Sequence, residues 1–83
     1  MGKLANRVTD VIRLHLTDAV VELDEGQTRL HGRVVTKAFA DKEQIDRQSE
    51  LRSMLRNELG PDYPSVGILL TYTPDELHVM QTA

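Results

Sequence analysis

The sequence predicts an α+β domain with the element order α-β-β-α-β-α, in which helices cover one face of a three-stranded mixed sheet. Two segments have apolar residues at helical spacing, two β-branched segments flank a short turn, and a third apolar segment follows a clear helix stop. The chain has 83 residues, of which 40% are hydrophobic and 4% aromatic. We therefore expect a single domain over residues 1–83 with one aliphatic core.

The first half of the chain predicts a helix and a hairpin. Residues 3–16 form an amphipathic pattern whose stripe comprises Leu4, Val8, Val11, Ile12, His15 and Leu16. Residues 19–23 and 28–36 are rich in β-branched side chains, and a short turn at residues 24–27 separates them. We expect Gly26 to supply a positive φ in this turn.

A central helix is predicted over residues 42–59. Asp41 precedes it, with Gln44 three residues later, which is the spacing of reciprocal N-terminal capping. Gly60 and Pro61 end the helix. The face expected to cover the sheet comprises Ile45, Leu51, Leu55 and Leu59, flanked by Gln48 and Arg52.

The last part of the chain predicts a strand and a short helix. Residues 66–72 have the composition of a mostly buried strand. Thr73, Pro74 and Glu76 then occupy the N-cap, N1 and N3 positions of a helix. Because a helix separates the second and third strands, their direct pairing requires a parallel crossover connection.

The composition excludes several kinds of site. The chain has no cysteine, so it cannot form a disulfide or a thiolate metal site. His15, His31 and His78 lack metal-ligand spacing, and no catalytic motif is present. We expect a protein that is not an enzyme and has neither a metal nor a cofactor. The N-terminus shows no signal-peptide pattern, which predicts a cytoplasmic protein without a membrane span.

Two groups of residues are candidates for binding. The basic residues Lys42, Arg47, Arg52 and Arg56 of the central helical region are candidates for nucleic-acid contacts; the alternative is a solvated surface with local ion pairs, such as Glu43 with Arg47. The second group comprises Arg29, His31 and Arg33. These side chains lie on or beside the second strand, where an open face or edge of the sheet would accept a partner protein or a second copy of the chain.

From Phe39 onward the sequence resembles the BolA family. The similar positions, in order, are Phe39, Lys42, Ile45, Arg47, Leu51, Leu55, Glu58, Leu59, Thr73, Pro74, Asp75 and Glu76. In that family an aromatic residue and a Lys three positions later open the central helix, a Glu-Leu pair closes it, and Thr-Pro-Glu follows the last strand. The resemblance implies a class II KH-like fold.

The sequence departs from the family at its metal-binding positions. The family usually has a His directly after the helical Arg, where this chain has Gln48, and another before the last strand, near Ser65 here. The family's longer first loop often provides a further His or Cys, whereas this chain has a short turn at residues 24–27. The usual ligands of an iron–sulfur cluster shared with a monothiol glutaredoxin are therefore missing.

The resemblance implies a non-enzymatic adaptor or regulator, of the type associated with stress responses. Its expected partners are a monothiol glutaredoxin or another protein, with weak nucleic-acid binding and a homodimer as further expectations. The alternative is a BON-like interaction domain that associates with envelope or lipid surfaces. The segment from Thr28 to Val34, which follows a hairpin turn, suggests this alternative.

Overall fold

A computed structural model describes residues 2–82 and contains three helices and three strands in the predicted order. These are α1 (Lys3–His15), β1 (Val20–Glu25), β2 (Leu30–Val35), α2 (Gln44–Leu59), β3 (Val66–Tyr72) and α3 (Pro74–Thr82). Two 3-10 segments, Lys37–Phe39 and Gly60–Ser65, flank α2. The predicted α+β class and element order are confirmed.

The sheet is mixed and has the strand order β1-β2-β3. β1 pairs antiparallel with β2, whereas β2 pairs parallel with β3 across the connection that contains α2. This confirms the predicted crossover. β1 and β3 are therefore the two edge strands of the sheet.

The core lies between one face of the sheet and the two longer helices. Its members are aliphatic apart from one phenylalanine, as the composition predicts. They are Ala5, Val8 and Ile12 of α1, Leu51, Leu55 and Leu59 of α2, Leu23, Leu30, Val34 and Leu69 of the sheet, together with Ala19 and Phe39.

Two predicted helix ends are confirmed. Gly60 follows α2 with φ of 55°, a conformation that favours glycine. At the start of α3, Thr73 Oγ1 accepts from the Glu76 N–H at 3.2 Å, and Glu76 Oε1 accepts from the Thr73 N–H at 2.9 Å. This is the predicted reciprocal cap.

The predicted start of α2 is wrong. The helix begins at Gln44 after Glu43, and Asp41 lies before it with φ of 67°. The Gln44 side chain bonds to Thr71 on β3 instead of capping the helix. Ile45, expected on the covered face, is 77% exposed. Gln44, Arg47 and Gln48 take the sheet-facing positions at the start of α2.

The turn and the third strand also differ from expectation. Among residues 2–82, Gly60 is the only glycine with a positive φ, so the role predicted for Gly26 is wrong. A Cβ atom at Gly26 would instead lie 2.7 Å from the Arg29 carbonyl oxygen. β3 is not mostly buried, because Ile68 and Leu70 are exposed. No helix of the described chain is long and apolar enough to cross a membrane.

Candidate partner-binding face of the sheet

Most of the face of the sheet that points away from α1 and α2 is open, although Val35, which shares this face by alternation, is only 5% exposed. We call it the open face; its side chains are Val20, Glu22, Asp24, His31, Arg33, Ile68 and Leu70. Ile68 is 67% exposed and Leu70 is 49% exposed, whereas Leu69 between them is 4% exposed. Successive strand side chains point to opposite faces, so β3 contributes to the core and to the open face alternately.

His31 is held against β3 at an irregularity in the parallel ladder. The register shifts between Leu30 and Gly32, and the Ile68 N–H donates to His31 Nδ1 at 3.0 Å. Since Nδ1 accepts from a backbone amide, a neutral His31 carries its proton on Nε2. A Cβ atom at Gly67 would collide with the imidazole. Glycine at position 67 therefore allows this ring position.

Arg33 and Glu22 form an ion pair across the β1–β2 ladder. Arg33 Nη2 donates to the two carboxylate oxygens of Glu22 at 3.0 and 3.2 Å. Arg29 lies outside β2 in the hairpin connection, where its carbonyl accepts from the Gly26 N–H at 2.9 Å. Of the three predicted partner-binding residues, the structure places His31 and Arg33 on the open face and Arg29 at its hairpin end.

Arg47 points into the protein and connects α2 to α3. Its guanidinium donates to the Glu76 carboxylate at 2.7 and 3.0 Å and to the Lys42 carbonyl at 2.9 Å, and lies 5.7 Å from the centroid of Phe39. The hydrogen bonds from Arg47, followed by the one from the Thr73 N–H, lower the pKa of Glu76 to about 2, and the carboxylate in turn raises the pKa of Arg47. The expected pair of Arg47 with Glu43 is wrong, because its partner is Glu76.

The four basic candidates do not form one surface. Arg47 is 4% exposed, and Lys42 lies before α2, with its ammonium 2.7 Å from Glu50. Arg52 and Arg56 are exposed on α2, and the Arg56 guanidinium lies 5.6 Å from the Tyr63 ring centroid. Of the four candidates, only Arg52 and Arg56 are exposed on the same side of α2.

The residues at the family's ligand positions do not fit an iron–sulfur cluster. Gln48 donates its amide to the Leu69 carbonyl at 2.8 Å, and Ser65 ends a 3-10 segment. Residues 2–82 contain no group of three His, Cys, Asp or Glu side chains that would hold a metal ion. An amide donor and a hydroxyl cannot replace the imidazole or thiolate ligands that iron requires.

Sequence reasoning missed the exposed part of β3 and the glutamines of α2. The β3 sequence is almost continuously apolar, which is typical of a strand buried on both faces, and this hid the open face. The partners of Gln44 and Gln48 lie 27 and 21 residues further along the chain. Local spacing contains no signal for such contacts.

The fold matches several solved structures. BolA1 from Arabidopsis thaliana superimposes with a TM-score of 0.72 at 19% identity, covering 92% of this chain and 98% of that chain. This chain has a BolA-like fold. The BolA domain of SufE1 from Arabidopsis thaliana gives a TM-score of 0.74 at 21% identity, with the same coverage of 92% and 98%.

The BolA-like fold also matches a bol-like protein from Babesia bovis. That structure gives a TM-score of 0.64 at 20% identity and covers 98% of this chain and 94% of that chain. No protein-family model and no curated protein matches the sequence. The likeness therefore lies in the fold, with a sequence identity of about one residue in five.

Proposed function

We propose that this chain is a non-enzymatic BolA-like adaptor that binds a partner protein through the open face of its sheet. The observation that supports this most strongly is the exposure of Ile68 and Leu70 beside the Arg33–Glu22 pair. Apolar side chains next to an arginine are typical of the central part of a protein interface. A patch of this kind on a small domain favours binding over catalysis.

The perturbed carboxylates support a structural use of charge rather than catalysis. The pKa of Asp18 is lowered because Thr36 and the Lys37 N–H donate to it, and that of Glu76 is lowered by Arg47. Both carboxylates therefore stay ionised and accept hydrogen bonds that connect different parts of the fold. A general acid or base at neutral pH would require the opposite shift.

The resemblance to the BolA family makes a monothiol glutaredoxin the first partner to test. In SufE1 the same fold is one domain of a larger protein. The missing cluster ligands lead us to propose direct protein contact, without a shared iron–sulfur cluster. Binding through Ile68 and Leu70 requires no metal.

Calorimetric titration with a monothiol glutaredoxin tests this proposal, with Ile68→Asp as the variant and Ile45→Asp as its matched control. Both isoleucines are exposed, at 67% and 77%, but Ile45 lies on α2 away from the open face. We expect Ile68→Asp to weaken binding about tenfold or more, because a buried charge opposes association. Ile45→Asp should leave the dissociation constant unchanged. No binding at tens of micromolar protein, or equal losses in both variants, would contradict the proposal.

Weak nucleic-acid binding is a second candidate, supported by Arg52 and Arg56, which lie one turn apart on the exposed side of α2. Fluorescence anisotropy with duplex DNA should show affinity that falls between about 50 and about 200 mM salt. The double variant Arg52→Glu/Arg56→Glu should abolish it, whereas Lys3→Glu/Arg13→Glu on α1 makes the same charge change elsewhere. If both double variants reduce the affinity for DNA equally, the affinity depends only on net charge and not on Arg52 and Arg56.

The BON-like alternative predicts association with lipid surfaces. Flotation with liposomes that contain anionic lipid provides the test. Recovery of the protein with the vesicles, together with no glutaredoxin binding, would favour that alternative over the adaptor.

A further inference from the structure

The outer edge of β3 is closed by side chains of α2. The Leu69 carbonyl accepts from Gln48 Nε2 at 2.8 Å, and the Thr71 carbonyl accepts from Gln44 Nε2 at 3.1 Å. Arg47 Nη1 lies 3.5 Å from the same Thr71 oxygen. These acceptors would otherwise be free to pair with another strand. Strand addition at β3 would therefore have to break the bonds to α2.

The outer edge of β1 has no such cover. The Gly26 N–H donates to the Arg29 carbonyl at 2.9 Å, and hydrogen-bonded pairs alternate along an antiparallel ladder. The backbone groups of Val21, Leu23 and Glu25 therefore point away from β2. Within residues 2–82, no hydrogen bond from outside the hairpin reaches the backbone of these three residues. They leave a row of donors and acceptors available to another strand.

The charges beside this edge determine which strand fits. Glu22 and Asp24 lie two residues apart on the open face, and both are exposed. In an antiparallel pairing of β1 with a second copy, centred on Leu23, each Glu22 would lie opposite the other copy's Asp24. Like charges in directly opposed positions destabilise a sheet. A strand with lysine or arginine at alternate positions instead places positive charge beside both carboxylates.

We propose that the outer edge of β1 accepts an extended basic segment of a partner protein as a fourth strand. The free backbone groups provide the hydrogen bonds. Asp24, together with the exposed side of Glu22, which already pairs with Arg33 of β2, favours cationic side chains at alternate positions. This interaction goes beyond the proposed function, since it uses the sheet edge rather than Ile68 and Leu70. A partner can contact both, because the edge and the open face adjoin at Glu22 and Asp24.

Amide hydrogen exchange measured by NMR tests the proposal. The probe is a blocked peptide of about eight residues in which lysine alternates with valine, a typical strand length. Saturating peptide should slow exchange about tenfold or more at Val21, Leu23 and Glu25, with no change at Leu69 and Thr71. A peptide with glutamate in place of lysine should have no effect. The proposal would be overturned if the β1 amides showed no slowing of exchange, or if the β3 amides were protected instead. Equal binding of the glutamate peptide would also overturn it.

A charge reversal separates edge binding from general attraction. Asp24→Lys should weaken binding of the lysine peptide about fivefold, which corresponds to the loss of one favourable cross-strand charge pair. Asp10→Lys makes the same change at an exposed position on α1 and should have no effect. Both sites are exposed, and thermal unfolding verifies that both variants fold. If both substitutions weaken binding of the lysine peptide equally, net charge explains the effect, and this result would contradict the proposal.

The proposals for the β1 edge and for the open face can be disproved independently. Ile68→Asp should leave peptide binding at β1 unchanged, while it weakens binding of the glutaredoxin. If the peptide does not bind but the effect of Ile68→Asp persists, the edge proposal is wrong and the open-face proposal stands. If the peptide binds but Ile68→Asp does not weaken binding of the glutaredoxin, the open-face proposal is wrong and the edge proposal stands.

Discussion

The two faces of the β-sheet differ in what covers them, although the same strands build both. On the covered face, Leu69 packs with Leu51 and Leu55 of α2, and all three are less than 5% exposed. On the open face, Ile68 and Leu70 are exposed in spite of their apolar side chains. The covered face forms part of the core, whereas the open face leaves two large apolar side chains exposed to solvent.

The largest difference between the faces should appear in stability. Leu55→Ala should lower the free energy of unfolding by about 3 kcal/mol, because it removes a fully buried side chain and leaves a cavity. Leu70→Ala on the open face should lower it by less than about 1 kcal/mol. Urea denaturation monitored by circular dichroism measures both. Similar losses in the two variants would show that the open face is buried in solution, for example by a second copy.

Removing Arg47 should have the next largest effect. Arg47→Met should lower the free energy of unfolding by about 2 kcal/mol, mainly because the Lys42 carbonyl loses the hydrogen bond from a buried charged group; Glu76, which is 44% exposed, also loses its partner. The matched control is Arg52→Met on the exposed side of α2, expected within about 0.5 kcal/mol of the unchanged protein. If the two variants unfold at the same urea concentration, Arg47 does not secure α3.

The contact between His31 and Gly67 gives a smaller and more specific effect. Gly67→Ala should cost about 1 to 2 kcal/mol, because the new methyl group displaces the imidazole and the Ile68 N–H loses its acceptor. In a His31→Ala background the same substitution should cost much less. A double-mutant cycle measures this coupling. If the stability losses of the two substitutions are additive, the imidazole of His31 does not contact Gly67.

The smallest expected effect concerns pH and the attachment of α3. Folding lowers the pKa of Glu76 from 4.5 to about 2, so the bond of the ionised carboxylate to Arg47 stabilises the fold above pH 4.5. This contribution is lost as the pH falls from 4.5 toward 2. The stability difference between the unchanged protein and Glu76→Gln should therefore shrink on acidification. Glu50→Gln, which removes an exposed pair with Lys42, is the control. A pH-independent difference for Glu76→Gln would refute the assignment.

Sequence reasoning succeeded where the determinants are local. The reciprocal cap of Thr73 and Glu76 spans three residues, and Gly60 with Pro61 ends α2 at the expected place. The parallel crossover followed from the helix that separates the second and third strands. Each of these features depends on neighbours in sequence or on a general rule of connection.

The errors lie where distant residues decide the outcome. Gln44 has the spacing of a capping residue, but the Thr71 carbonyl and hydroxyl, 27 residues away, bind its amide. Arg47 was expected on the surface with Glu43, and it bonds to Glu76 across 29 residues instead. In both cases a backbone or carboxylate acceptor beneath α2 offers a better partner than the local one. Periodicity alone does not reveal such acceptors.

The open face is the proposed binding surface for the partner. Cross-saturation NMR with the labelled chain and an unlabelled monothiol glutaredoxin tests it most directly, because signal loss marks the residues that the partner touches. We predict signal loss at Val20, Arg33, Ile68 and Leu70, with none at Arg52 and Arg56. Signal loss confined to α1 or to the exposed side of α2, with the open face unaffected, would contradict the proposed binding surface.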